Sequence, residues 1–130
     1  MDWVVYLSTG AVALLLVPQV LVAVRAKRSV GRAAPDTAAV DRGAQGTEPR
    51  VYYFHAAHCG HCHAMTPPVD RLAATHGNLI KVDVAERPDL ARGFGIAATP
   101  SFVRVEGGKV RTVRLGCLGE RQLLALLAAG

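Results

Sequence analysis

Between Phe54 and Met65 the chain reads HAAHCGHCHAM, with Cys59 and Cys62 three apart and histidines at 55, 58, 61 and 63. Thiols and imidazoles at this density support three chemistries. Two thiols one helical turn apart can close and open as a disulfide. Thiolate and imidazole together are ligands for zinc or copper. Cys59-Gly60-His61-Cys62-His63 also satisfies the C-x-x-C-H pattern of c-type haem attachment. The choice depends on the elements that carry the cluster.

VYYFHA (51–56), just before the cluster, is β-branched and aromatic and reads as a buried strand. Gly60 to His76 suits a helix, with Pro67-Pro68 expected to kink or break it. LIKVDVA (79–85) alternates as a second strand, and PDLARGFG (88–95) is a short helix opening on Pro and closing at Gly. SFVRVE (101–106) and KVRTVRLG (109–116) flank Gly107-Gly108, a hairpin signal. GERQLLALLAAG (119–130) is an amphipathic helix. The order β-α-β-α-β-β-α predicts an α/β domain from 50 to 130. Its mixed sheet should hold a parallel first pair, an antiparallel last pair and helices on both faces.

In that frame Cys59 sits between a strand and a helix start. Unpaired N–H groups and the helix dipole favour its thiolate there. Cys62 lies one turn further in, so the first cysteine is placed to attack and the second to resolve. His61 between them adds a polar, sometimes cationic group that also favours thiolate.

Residues 50–130 resemble a thioredoxin domain. FHAAHCGHCHAMTP carries that family's strand, Cys-x-x-Cys and helix proline (Pro67). IAATPSF matches the segment of its cis-proline, at Pro100, VEGGKV its terminal hairpin and LGCLGERQLLALL its last strand-to-helix passage. Cys-Gly-His-Cys is the setting usual in protein disulfide isomerases. The resemblance implies thiol–disulfide exchange with protein thiols and disulfides, without a cofactor or a metal. It makes Cys59 the nucleophile and Cys62 the resolving thiol, with Gly60, His61 and Lys81 modulating them. Thr99, a cis Pro100, Gly116 and Cys117 would border the substrate groove. The chain departs from the pattern at three places. Tyr53 stands where the family usually buries an Asp, leaving its Lys partner as Lys81. His55 and His58 stand where tryptophans commonly flank the motif.

The rival chemistries are weaker in this frame. Haem attachment needs an extracytoplasmic chain wrapped around the haem, and a designed zinc site needs a second ligand pair that this chain lacks. Cys117 reads either as a buried, inert small hydrophobe or as a redox or substrate contact.

Residues 3–24 contain no charge. As a helix they span roughly 33 Å, close to a bilayer's hydrocarbon core. The start Met-Asp-Trp lacks the basic residues of a signal peptide, so an uncleaved anchor is expected over 1–28. Pro18 should kink it, and Gln19 suits a contact with another membrane subunit. Arg25, Lys27, Arg28 and Arg32 follow it, which predicts the N-terminus outside and the domain in the cytoplasm of a bacterial-type inner membrane. Trp3 and Tyr6 would then lie at the outer interface. The alternative is an extracytoplasmic domain.

Residues 29–49, rich in Gly, Ala, Pro and Thr, read as a flexible tether spanning about 25 Å, compatible with a short helix over Thr37–Arg42. The net charge of +5 does not mark a nucleic-acid binder: residues 25–50 hold six basic and three acidic residues beside the membrane. A single anchor with a small head also suits an accessory subunit of a membrane complex, the alternative to an exchange enzyme.

Overall fold

The structure is a computed structural model that describes residues 2–40 and 49–128. Its elements are α1 (Asp2–Ser29), β1 (Arg50–His55), α2 (Gly60–Ala73), β2 (Leu79–Asp83), α3 (Pro88–Gly93), β3 (Ser101–Glu106), β4 (Lys109–Leu115) and α4 (Glu120–Leu127). The four strands form one sheet in the order β2-β1-β3-β4. β1 runs parallel to β2 and antiparallel to β3, and β3 and β4 form the hairpin. This is the expected mixed sheet.

β1 is apolar almost throughout because it is covered on both faces. Val51 and Tyr53 point to one side, where Met65, Val69 and Leu72 of α2 and Leu123, Leu126 and Leu127 of α4 close the core. Tyr52 and Phe54 point to the other, against Leu90 and Phe94 at α3. Gly107 and Gly108, both at positive φ, turn the hairpin, a conformation that glycine adopts without steric cost. At the opposite end of the sheet β1 delivers the chain straight to the mouth of α2.

Three local readings differ from the structure. A single α2 runs through Pro67 and Pro68 instead of breaking. Its apolar face, anchored by Met65 before the prolines and by Val69 and Leu72 after them, is fixed by core burial that outweighs the lost backbone bonds. The second strand is two residues shorter than expected and α3 ends at Gly93.

The segment read as a tether is not free over residues 29–40. Ser29 ends α1 buried, its hydroxyl donating to Phe94 O at 2.9 Å. Gly31 N–H donates to Val110 O (2.7 Å), Val110 N–H to Arg32 O (2.9 Å) and Ala34 N–H to Gly108 O (2.8 Å). Thr37 is buried and accepts from the Tyr52 hydroxyl at 2.9 Å. Gly93 has no side chain because Pro35 packs there: a Cβ would stand 2.9 Å from the proline ring. The segment docks through backbone groups on the exposed edge of β4, which also covers an otherwise unpaired strand. Of the suggested helix at Thr37–Arg42, residues 37–40 form a turn and the remainder lies outside the described residues.

α1 is long and apolar enough to cross a bilayer, a test that a membrane span and a signal sequence both pass. Its apolar side chains are exposed, Leu14 and Tyr6 by about three quarters, so no protein core accounts for them.

Candidate active site

Cys59 is the N-cap residue of α2, in extended backbone conformation. Its Sγ accepts the Cys62 N–H at 3.1 Å, the bond that a capping serine or aspartate would make. The helix mouth therefore already aims a donor at this sulfur. Cys59 and Cys62 are joined as a disulfide, with their Cα atoms 5.2 Å apart. Cys62 is buried at 3% exposure, whereas Cys59 is half-buried. The outer and inner sulfurs are thus sorted by the helix itself.

Behind the pair lie two uncharged side chains, Tyr53 and Thr66. Tyr53, fully buried, donates to Cys62 O at 3.3 Å and lies 3.4 Å from the Thr66 hydroxyl. Thr66 donates to the same carbonyl at 2.7 Å. Burial pushes the Tyr53 phenol above its ordinary value of 10.0, against the opposing pull of the Thr66 hydrogen bond and the Lys81 charge. The phenol is uncharged at neutral pH and cannot act there as a base. Lys81, across the strand pair from Tyr53, turns to the surface and pairs with Asp70 of α2 at 2.7 Å. Thr66 went unread in the sequence, although its spacing of four from Cys62 on a helix was the available signal.

The loop opposite the dithiol carries the cis peptide Thr99–Pro100, as expected. Gly116, at positive φ, donates to Pro100 O at 2.9 Å, joining the end of β4 to that loop. The next residue, Cys117, is an exposed free thiol, which sets aside the reading of a buried inert cysteine. Its Sγ lies 3.7 Å from His61 O, between the two dithiol cysteines. Gly116, Pro100 and Cys117 therefore frame one rim with the dithiol, while Lys81 lies apart from it.

The histidines diverge. His55 stacks on Tyr53 with ring centroids 5.3 Å apart, and the His63 ring lies 3.2 Å from Ala57 O. Among the described residues no three His, Cys, Asp or Glu side chains come together in a metal-holding group.

The comparisons agree with this geometry. The Thioredoxin family profile matches residues 39–129. The chain belongs to the thioredoxin family. It is 33% identical over 87 residues to thioredoxin of Alicyclobacillus acidocaldarius, covering 65% of this chain and 83% of that one. It is 33% identical over 90 residues to mouse mitochondrial thioredoxin, of which it spans about half (54%). A mutant thioredoxin structure from Halobacterium salinarum superposes with a TM-score of 0.61 at 26% identity, covering 73% of this chain and 84% of that one. With a closed Cys-x-x-Cys disulfide at the helix mouth, this thioredoxin domain is a thiol–disulfide oxidoreductase.

Proposed function

We propose that this is a membrane-tethered oxidoreductase that exchanges the Cys59–Cys62 dithiol with protein disulfides. The Cys59 Sγ capping α2, 3.1 Å from the Cys62 N–H, carries the reading. In the reduced protein that N–H and the positive end of the helix stabilise a thiolate on Cys59. The thiolate attacks one sulfur of a substrate disulfide. A mixed disulfide forms and the first substrate sulfur leaves as thiolate. Cys62 then attacks the Cys59 sulfur, its proton passing to the released substrate thiolate, since the neutral Tyr53 stands where the family usually buries an Asp. The second substrate sulfur leaves as thiolate and takes up from solvent the proton that Cys59 gave to solvent when its own thiolate formed. The sum converts one substrate disulfide and two protein thiols into two substrate thiols and one protein disulfide. The same steps in reverse oxidise a substrate dithiol.

Thr99, Pro100 and Gly116 form the groove wall in this reading, and the helix mouth is open at Gly60, where even a Cβ would meet nothing within 4 Å. His61 adds polarity beside the thiolate, and the Lys81 charge is felt at Tyr53.

The membrane part of the proposal rests on α1. Its last residue and the segment after it are bonded into the domain through Ser29, Gly31 and Ala34, which supports a retained anchor over a removed leader. Arg25, Lys27, Arg28 and Arg32 favour a cytoplasmic domain, where the dithiol would work chiefly as a reductant.

Cys62→Ser expressed in cells tests the exchange. It should accumulate mixed disulfides through Cys59, whereas Cys59→Ser should accumulate few. If Cys62→Ser traps no partner and the wild type reduces no disulfide in vitro, the binding-subunit alternative takes its place.

A further inference from the structure

The path of the chain along β4 orients the domain. Ala23 and Val30 of the α1 region lie against Val113 and Leu115. The chain then pairs Gly31 with Val110 and Ala34 with Gly108. It therefore passes β4 from its C-terminal end towards its N-terminal end. The end met first continues into Gly116 and Cys117 at the dithiol rim. Gly107-Gly108, the hairpin tip, is the end met last, and Val110 alone lies roughly 17 Å along the strand from Leu115.

An open groove of about 230 Å³ lies between α1 and this end of β4. Ala23, Val30, Val113 and Leu115 give it apolar walls, and Lys27 and Arg114 are its two cations. Both side chains belong to exposed residues. Neither has an ion-pair partner among the described residues, and no carboxylate lines the groove. The uncharged run of α1 stops at Val24, so the groove straddles the level where a spanning helix leaves hydrocarbon and meets headgroups. Apolar walls at that depth, with a lysine and an arginine beside them, complement a phospholipid: glycerol and upper acyl chain on the walls, phosphate on the cations.

We propose that this groove binds an anionic phospholipid and holds the dithiol end of the domain against the bilayer. The proposal rests on α1 being a retained membrane anchor. Its consequence is a substrate class: cysteines of proteins at the membrane surface, within reach of a rim that faces the bilayer.

The test uses the full chain in nanodiscs of phosphatidylcholine containing a photoreactive phosphatidylglycerol. Labelled residues are mapped by mass spectrometry. Labelling is expected at 23–30 and 113–115. Each cation removed should weaken it roughly fivefold, so Lys27→Gln with Arg114→Gln should lose on the order of 20-fold. Arg92→Gln, an exposed cation on α3, should leave it unchanged. Labelling that ignores the double substitution, or that is confined to 3–22, overturns the groove proposal while leaving the anchor intact. Competition by inorganic phosphate at matched ionic strength overturns the lipid assignment in favour of a free-anion site. Failure of the folded protein to enter nanodiscs or resist carbonate extraction overturns the anchor, and the groove proposal with it.

Discussion

Replacing Tyr53 by Phe separates two roles that a buried tyrosine behind a dithiol could have. The substitution removes contacts of 3.3 Å to Cys62 O and 3.4 Å to the Thr66 hydroxyl. Both are longer than a good hydroxyl hydrogen bond, so their loss belongs at the weak end of about 0.5–1.5 kcal/mol. Cys62 O keeps Thr66 at 2.7 Å, so no buried acceptor is orphaned. The ring stays against Phe102, 5.0 Å between centroids, and no cavity opens. The expected loss of stability is below about 1 kcal/mol, against about 3–5 for Tyr53→Ala, which removes the ring. Turnover should change by less than about fivefold, the rate equivalent of 1 kcal/mol, because a phenol held neutral by burial takes no proton at pH 7. Denaturant unfolding and dithiol-driven reduction of a disulfide substrate measure the two effects. The folded-state phenol ionises above 10.0, so its contribution is complete below that pH and is lost as pH rises through the folded value. Wild type should therefore lose stability above pH 10 relative to Tyr53→Phe, by at most about 1.4 kcal/mol per pH unit. A hundredfold loss of turnover in Tyr53→Phe with stability intact would instead make the hydroxyl a proton carrier.

In the reduced protein, iodoacetamide at neutral pH should modify Cys59 before Cys117 and Cys62, read by peptide mapping; Cys62 reacting first would invert the assignment of roles. Ser29→Ala should cost about 1 kcal/mol, because it leaves Phe94 O without its 2.9 Å donor, and hydrogen exchange at Gly31 and Ala34 should quicken if Ser29 pins that segment. Asp70→Asn should cost less than about 1 kcal/mol in thermal unfolding, since the Lys81 pair lies at the surface.

The sequence carried the order of elements and the two cysteines at a helix mouth, because these are written in local periodicity and capping position, while the cis-proline of the facing loop was legible only through the family resemblance. Docking of residues 29–40 was not legible. Its contacts are backbone bonds from Gly31 and Ala34 and a space left open by Gly93, and none of these produces a hydrophobic period. For α2, local proline chemistry allows a kink or a break, and burial of Met65, Val69 and Leu72, a property of the whole core, keeps the helix unbroken. Tyr53 was visible as a departure at one position. That its hydroxyl shares the Cys62 carbonyl with Thr66 required the helix to be placed over the strand.

The Cys59–Cys62 pair should turn over as a redox couple. The measurement is steady-state reduction of an oxidised protein substrate with dithiothreitol as electron donor, for wild type and the three single cysteine-to-serine proteins. Wild type and Cys117→Ser should both catalyse the reaction, and neither Cys59→Ser nor Cys62→Ser should exceed the dithiothreitol background. Wild type no faster than background, or Cys59→Ser retaining wild-type turnover, would contradict this role for the pair.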